Sequence, residues 1–389
     1  MHPDPLFFTL FLIFTGAAVL ATGALYAHQA LLVTYIVLGI LLGPSVLGLV
    51  NDPNIIQQIA QIGIIFLLFL LGLNLHPQQL TRSLPPMLAV TGVSSLALLA
   101  LGAGVAWAFG FAAVEALVIG AAMMFSSTII GLKLLPATVL HHQRTGERII
   151  AILLLQDLVA IIVLMLLQNR GTGMETTWSI AASFLSLPLL VAFAFLFHRY
   201  VLFRLLQRFD TIFEYIFLLS IGWCLGLAQL AAAVGLSTEI GAFVAGVAMA
   251  ASPISNFIAE RLRPLRDFFL VMFFFSLGAT LDLTTLTSIL LPAGVLTALA
   301  LALKPLLFAW PLRAIGEPAE RATEIGVRLA QVSEFALLIA VLAADQGVIG
   351  SRASYLIQVT TVLTFVVSSY VIVARYPTPV ATDERLRQD

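Results

Sequence analysis

Asp157 stands in the run LLLQDLVAII, with leucines at 153–155 before it and apolar residues as far as Leu164 after it. A carboxylate in such surroundings is costly, and its short side chain cannot reach an interface, so it reads as functional. Glu334 in LAQVSEFALL and Lys304 in LALKPLLFAW share that setting. A carboxyl placed deep in an apolar span can hold a proton and a cation in turn. Burial and a lysine within reach act on it in opposite directions. Asp157, with Gln156, Ser127 and Thr128, is therefore expected to bind cation and proton. Glu334 has two readings: it neutralises the dipole ends of interrupted helices, which is preferred, or it carries the ion itself. Lys304 also has two. It is a snorkelling side chain, or a buried charge, as Pro305 suggests by leaving a carbonyl unpaired in the preceding turn. Lys304 and Glu334 are assigned to charge balance in the core. Gln331, Ser333 and Ser126 are assigned to the polar lining of the breaks.

The elements that must hold these residues are membrane helices. The chain has 389 residues, of which 60% are hydrophobic and 10% charged. A soluble domain carries about a quarter charged residues. Apolar runs recur along the whole length, each able to cross a hydrocarbon core of about 30 Å. They are continuous rather than alternating, which implies helices and not a barrel. The sequence predicts thirteen spans, at 6–26, 30–49, 55–75, 84–109, 112–135, 146–168, 177–204, 211–232, 235–251, 265–281, 285–312, 322–345 and 352–374. Gly, Pro and Asn mark joints at 51–53, 85–86, 171–173 and 316–318. Asp157 and Glu334 then fall eleven or twelve residues into their spans, roughly 16–18 Å along the axis and so near the midplane. Arg170 and Arg352 lie on one side, whereas sixteen basic residues lie in or near loops on the other. That bias places the N-terminus outside and the C-terminus in the cytoplasm, in a cell (inner) membrane.

A shift of 206 positions superposes six early spans on six later ones. Agreement is best at FLLGLNLHPQQL (69–80) against FSLGATLDLTTL (275–286), with five of twelve residues identical. The shift advances by seven spans, an odd number, so the halves are inverted in the membrane. That build is characteristic of secondary transporters. The expected organisation is a first repeat over 1–168, a linker helix over 169–210, a second repeat over 211–375 and a cytoplasmic tail over 376–389, without a soluble regulatory domain. Ser127 pairs with Ser333 and Thr128 with Glu334 under the shift. Two polar clusters at one depth suit broken helices, whose freed backbone groups need partners.

Other chemistries find little support. No nucleophile–base pair or metal-ligand cluster lies at depth, so no enzyme, cofactor or transition-metal site is expected. The basic residues form no nucleic-acid patch. Cys224 is the only cysteine, which leaves no disulfide framework within one chain. Glu115 and Glu239 sit near helix starts, where acids are favourable anyway. His141 and His142 read as part of a solvated loop.

The chain resembles the second monovalent cation:proton antiporter family, most closely the membrane domain of the glutathione-gated potassium-efflux (Kef) systems. The matching segments are LLGPSVLGLV at 41–50, FLLFLLGLNL at 66–75, SST at 126–128, LLLQDLVAII at 153–162, GAFVAGVAMAAS at 241–252, FFFSLGATLDLTTL at 273–286, Lys304, and QVSEF at 331–335. The Gln-Asp pair separates Kef-like members from sodium exchangers with Asp-Asp or Asn-Asp there. The resemblance implies an all-α homodimer in the lipid bilayer, built from a dimerisation domain and a moving core with two crossing broken helices. It implies exchange of K+, or less readily Na+, for H+, with room for a separate regulatory subunit. A channel-like efflux function is the alternative. Val332 departs from the Gln-Gly-Ser-Glu-Phe usual in Kef systems, which bears on the second break. The sequence stops at Asp389, before the nucleotide-binding domain that gates them, as expected of either an ungated relative or a membrane-domain fragment.

Overall fold

The computed structural model describes residues 5–27, 31–50, 53–73, 77–136, 144–168, 175–209, 212–250, 252, 254–281 and 283–378. His141, His142, Arg170, the joints at 51–52 and 171–173 and the tail beyond Thr378 lie outside the described residues. Regular structure among the described residues is helical. Six helices are long and apolar enough to cross a membrane alone: Phe7–Tyr26, Pro86–Ala108, Ser186–Arg208, Phe213–Ala233, Leu286–Ala314 and Ser351–Arg375. Three shorter apolar helices are α2 (Leu31–Leu42), α5 (Ala113–Met124) and α11 (Thr238–Ala250). The chain divides into two compact units, and each draws on both sequence halves.

The first unit comprises Met1–Ala17, Tyr35–Thr81 and Gln168–Thr280. Its helices approach through glycine, as helices in lipid do when backbone packing replaces a hydrophobic drive. On α3 (Pro53–Leu73), a Cβ at Gly72 would strike the carbonyl of Phe243 on α11; one at Gly246 of α11 would strike that of Phe69. On α12 (Ser255–Ala279), a Cβ at Gly278 would strike the carbonyl of Ile36, and one at Gly39 of α2 would strike that of Phe275. Phe69 and Phe275 are 206 positions apart, as are Gly72 and Gly278. The α3 and α12 sides of the two crossings therefore repeat under the shift found in the sequence, and the α2 and α11 sides, Gly39 and Gly246, do so within one residue. Trp223 on α10 (Phe213–Ala233) stacks on Phe197 at 5.2 Å and donates from Nε1 to the Ala245 carbonyl at 3.0 Å.

The second unit comprises Ala18–Thr34, Arg82–Leu167 and Leu281–Asp389. The expected span at 112–135 is two half-helices, α5 and α6 (Thr128–Lys133), and that at 322–345 is α14 (Ala319–Arg328) and α15 (Glu334–Asp345). Around them run α4 (Pro77–Ala108), α7 (Arg144–Gln168), α13 (Leu283–Ala314) and α16 (Ser351–Arg375). A buried apolar cluster including Leu98, Ile152, Phe308 and Leu329 fills the space among α4, α7, α13 and α14. Gly326 of α14 lies against the carbonyl of Pro305, where a Cβ has no room. Glu115 accepts from the amides of Ala112 at 3.2 Å and Gly350 at 3.0 Å, which fastens the start of α5 to that of α16. Among the described residues the buried charged side chains are Asp157, Lys304, Glu317 and Arg328, all in this unit.

Glu317, in the turn before α14, accepts from Arg148 and Arg321, each at 2.9 Å. Burial alone would raise its carboxyl, but the hydrogen bonds from Arg321 and Arg148 hold it below the ordinary carboxylate value. A carboxyl depressed in the folded state contributes stability above its unfolded pKa and loses it as pH falls through the folded one. Glu317→Gln is expected to destabilise the protein at neutral pH by about 1–3 kcal/mol. Thermal unfolding in detergent checks this. The difference between wild type and variant should vanish as the pH drops below the carboxylate range.

Candidate ion-binding site

Breaking a helix inside hydrocarbon strands the last carbonyls of one half and the first amides of the other. Here side chains supply several of the missing partners. Ser127 Oγ accepts from the Ile130 amide at 3.1 Å and so caps α6. Ser333, 206 positions on, accepts from the Phe335 amide at 3.1 Å and caps α15. The Ser126 amide donates to Gln156 Oε1 on α7 at 3.0 Å. Its counterpart under the shift, the Val332 amide, donates to Thr364 Oγ1 on α16 at 3.1 Å. The second break thus forms with Val332 in the usual glycine's place, its side chain fully buried.

Lys304 sits where the two breaks meet. Its Nζ donates to the carbonyls of Phe125 at 2.6 Å and Gln331 at 2.8 Å. Those residues are also 206 positions apart, so one ammonium serves the same carbonyl in both halves. It is 0% exposed and does not snorkel. Phe125 closes the C-terminal end of α5, and Gln331 follows that of α14, where a cation is favourable. The breaks are also tied directly. Ser126 Oγ donates to the Leu329 carbonyl at 2.9 Å, and Gln331 Nε2 to the Ser127 carbonyl at 3.4 Å. Gln331 Oε1 in turn accepts from Ser368 of α16 at 3.0 Å.

The carboxylates occupy the other ends. Glu334 is the first residue of α15, and Asp157 faces Thr128, the first residue of α6. N-terminal half-helix ends favour anions. Asp157 is 2% exposed and lies within electrostatic reach of Glu334. Thr128 is near, yet neither its Oγ1 nor Asp157 Oδ2 makes a hydrogen bond of normal geometry among the described residues. Lys304 is committed to carbonyls, and the groups acting on Asp157 are Glu334 and Thr128. Thr128 and Glu334 are both partly exposed, which gives the site an edge.

Thr364 and Ser368 escaped sequence reasoning. The signal available was a stripe of Thr360, Thr364 and Ser368 at helical spacing in an apolar span, all buried in the structure. Gln156 was placed beside the ion, and the structure shows a further duty: it accepts from Ser126 and donates from Nε2 to the Met124 carbonyl at 2.8 Å. Gln156→Leu keeps the volume and leaves that amide and carbonyl unpaired. It is expected to cost about 1–3 kcal/mol for each stranded group. An unchanged melting temperature in detergent would count against this clamp.

Residues 9–374 match the family described as sodium/hydrogen exchanger, transmembrane. The chain is 29% identical over 376 residues to a protein of Paramagnetospirillum magneticum named iron transporter MagA, spanning 95% of this chain and 85% of that one. It is 32% identical to a putative K+ efflux antiporter, KefB, of Alkalimonas amylolytica, spanning 89% of this chain and 53% of the relative. To the glutathione-regulated potassium-efflux protein KefC of Klebsiella pneumoniae it is 30% identical, spanning 84% and 54%. The chain thus covers about half the length of these Kef relatives. The solved structure of the sodium proton antiporter MjNhaP1 from Methanocaldococcus jannaschii shares the fold, with a TM-score of 0.73 at 15% identity over 94% of this chain and 96% of that one. A match over nearly every residue, carried on crossed broken helices, makes this chain a member of the transmembrane sodium/hydrogen exchanger family.

Proposed function

We propose that the protein exchanges a monovalent cation for protons by alternating access at Asp157. The observation that carries this reading is the division of charge at the crossing. Lys304 is held by two backbone carbonyls, so it is not the partner of Asp157. Buried Asp157 instead lies within electrostatic reach of a second, partly exposed carboxylate, Glu334. Two like charges repel there, and a proton or a monovalent cation relieves the repulsion. Only one is needed at a time, which is the condition for exchange. Thr128 and the caps of α6 and α15 supply neutral oxygens. The names of the Kef relatives favour K+ as the cargo. Na+ is the alternative, since carboxylate and hydroxyl oxygens serve both and selectivity rests on cavity size.

If Lys304 stays bonded to its carbonyls and Glu334 keeps its charge, the core carries the same net charge with a proton or a cation aboard. Exchange is then one-to-one and electroneutral. The positive-inside bias favours an orientation with the Arg148–Glu317–Arg321 cluster and the C-terminus at the cytoplasmic face of a cell (inner) membrane. A homodimer is the assembly that suits this reading.

Asp157→Asn keeps the shape and loses the titration. In proteoliposomes it is expected to fold and to show no cation-dependent proton flux above empty vesicles. Measurable flux in that variant would remove Asp157 from the mechanism. Titration of K+ and Na+ against an internal pH dye identifies the cargo. Electroneutrality has its own measurement, with the membrane potential clamped independently. The flux and its reversal point should not move with voltage, and a shift would mean that Lys304 or Glu334 titrates in the cycle.

A further inference from the structure

Arg328 is the last residue of α14 and is 1% exposed. Its side chain runs back toward the start of its helix, as helical side chains do, and donates from three nitrogens to three different segments. Nε reaches Glu324 one turn earlier at 2.9 Å. Nη1 reaches the carbonyl of Leu134, just beyond α6, at 3.0 Å. Nη2 reaches the carbonyl of Pro377, just beyond α16, at 2.9 Å. The guanidinium also lies over the Tyr376 ring, 5.4 Å from its centroid. Thr378, which ends the described chain, is fully buried. Neither ion exchange at Asp157 nor the capping of the breaks uses any of these contacts.

Their placement relative to the site is close. The residue after Arg328 is Leu329, whose carbonyl accepts from Ser126, and three positions on is Gln331, whose carbonyl accepts from Lys304. Leu134 follows the half-helix that opens with Thr128, the residue Asp157 faces. One planar cation thus joins α6 and α14, one half of each interrupted span, to the segment after α16. A guanidinium satisfies several fixed acceptors at once because its donors lie in a rigid fork, which a lysine cannot reproduce. On the exchange reading, cation affinity follows the relative position of the ends of α6 and α14. Whatever displaces residues 376–378 displaces both through Arg328.

We infer that Arg328 is a positioning residue that couples the Tyr376–Thr378 segment to both interrupted helices, so that the position of this segment sets the cation affinity at Asp157. The effect on affinity rests on the exchange reading above; the mechanical coupling does not.

Three variants of the full chain, Arg328→Lys, Tyr376→Ala and their combination, test it with Tyr376→Phe as the control that keeps the ring. The first readout is hydrogen–deuterium exchange, which needs no transport. Tyr376→Ala should raise uptake in α6 and at 329–333 while leaving α11 unchanged, and Tyr376→Phe should resemble wild type. Uptake confined to 376–378, or spread evenly over the chain, overturns the coupling even if the protein transports nothing. The second readout is K+-dependent proton flux, with Na+ in parallel. Each single variant should raise the apparent KM several-fold with the maximal rate kept. The double variant should go no further than the larger single effect, since both cut one connection. Additive KM shifts, or a lower melting temperature at unchanged KM, would reduce Arg328 to a structural cap. Absence of flux in wild type would refute the exchange reading and the affinity effect, and leave the first readout to decide the coupling.

Discussion

An interrupted helix in hydrocarbon has no water to complete its backbone, and each unpaired amide or carbonyl there costs several kcal/mol. The rest of the second unit follows from meeting that demand twice at one crossing. Lys304 takes a carbonyl from each break. Gln156 and Thr364 take the amides. Ser127 and Ser333 cap the halves that follow. The charges are then sorted by helix polarity, with the ammonium toward C-terminal ends and the carboxylates at N-terminal ends. This arrangement holds the crossing together without neutralising Asp157. On the exchange reading, a lysine paired with Asp157 would occupy the place proposed for the cargo.

The repeat of 206 residues is visible in these bonds more clearly than in residue identity. Phe125 and Gln331 differ in type yet present the same carbonyl to the same lysine. Ser126 and Val332 differ in type yet present the same amide to the following helix. Backbone groups carry the correspondence, so side chains were free to diverge. Charged positions diverge too: the shift pairs Thr128 with Glu334, Asp157 with Leu363 and Lys304 with Leu98. In the first unit the same shift relates two glycine crossings, where backbone again meets backbone.

Among the described residues the buried charges are segregated as well. Asp157, Lys304, Glu317 and Arg328 belong to the second unit, whereas the first is closed by glycine contacts and stacked rings such as Phe66 on Phe269. Polar networks fix relative positions because an unpaired member is penalised heavily in a low dielectric. Small-residue contacts fix distance through close packing alone. The unit that holds the candidate site is the one in which side-chain hydrogen bonds tie the two interrupted spans together.

Much of this protein was legible in one dimension. Hydrophobic run length implies membrane helices, because a bilayer sets the length of whatever crosses it. Asp157, Glu334 and Lys304 announce themselves because charge in an apolar run is expensive. The SST and QVSEF clusters indicated interruptions, since serine and threonine are what a broken helix requires. Three features came only with the tertiary structure. Lys304 bonds backbone carbonyls, and carbonyls have no letter in a sequence. Arg328 was only one of sixteen basic residues in or near loops, because its partners at Leu134 and Pro377 are also carbonyls, lying 194 and 49 positions away. Thr364 and Ser368 were hidden because a hydroxyl is cheap enough in a membrane helix to pass as filler until its partner is known. The sequence by itself determined which residues are too costly to be accidental. Only the fold decided what each one holds, because their partners are backbone groups brought together by the crossing of chain segments far apart in sequence.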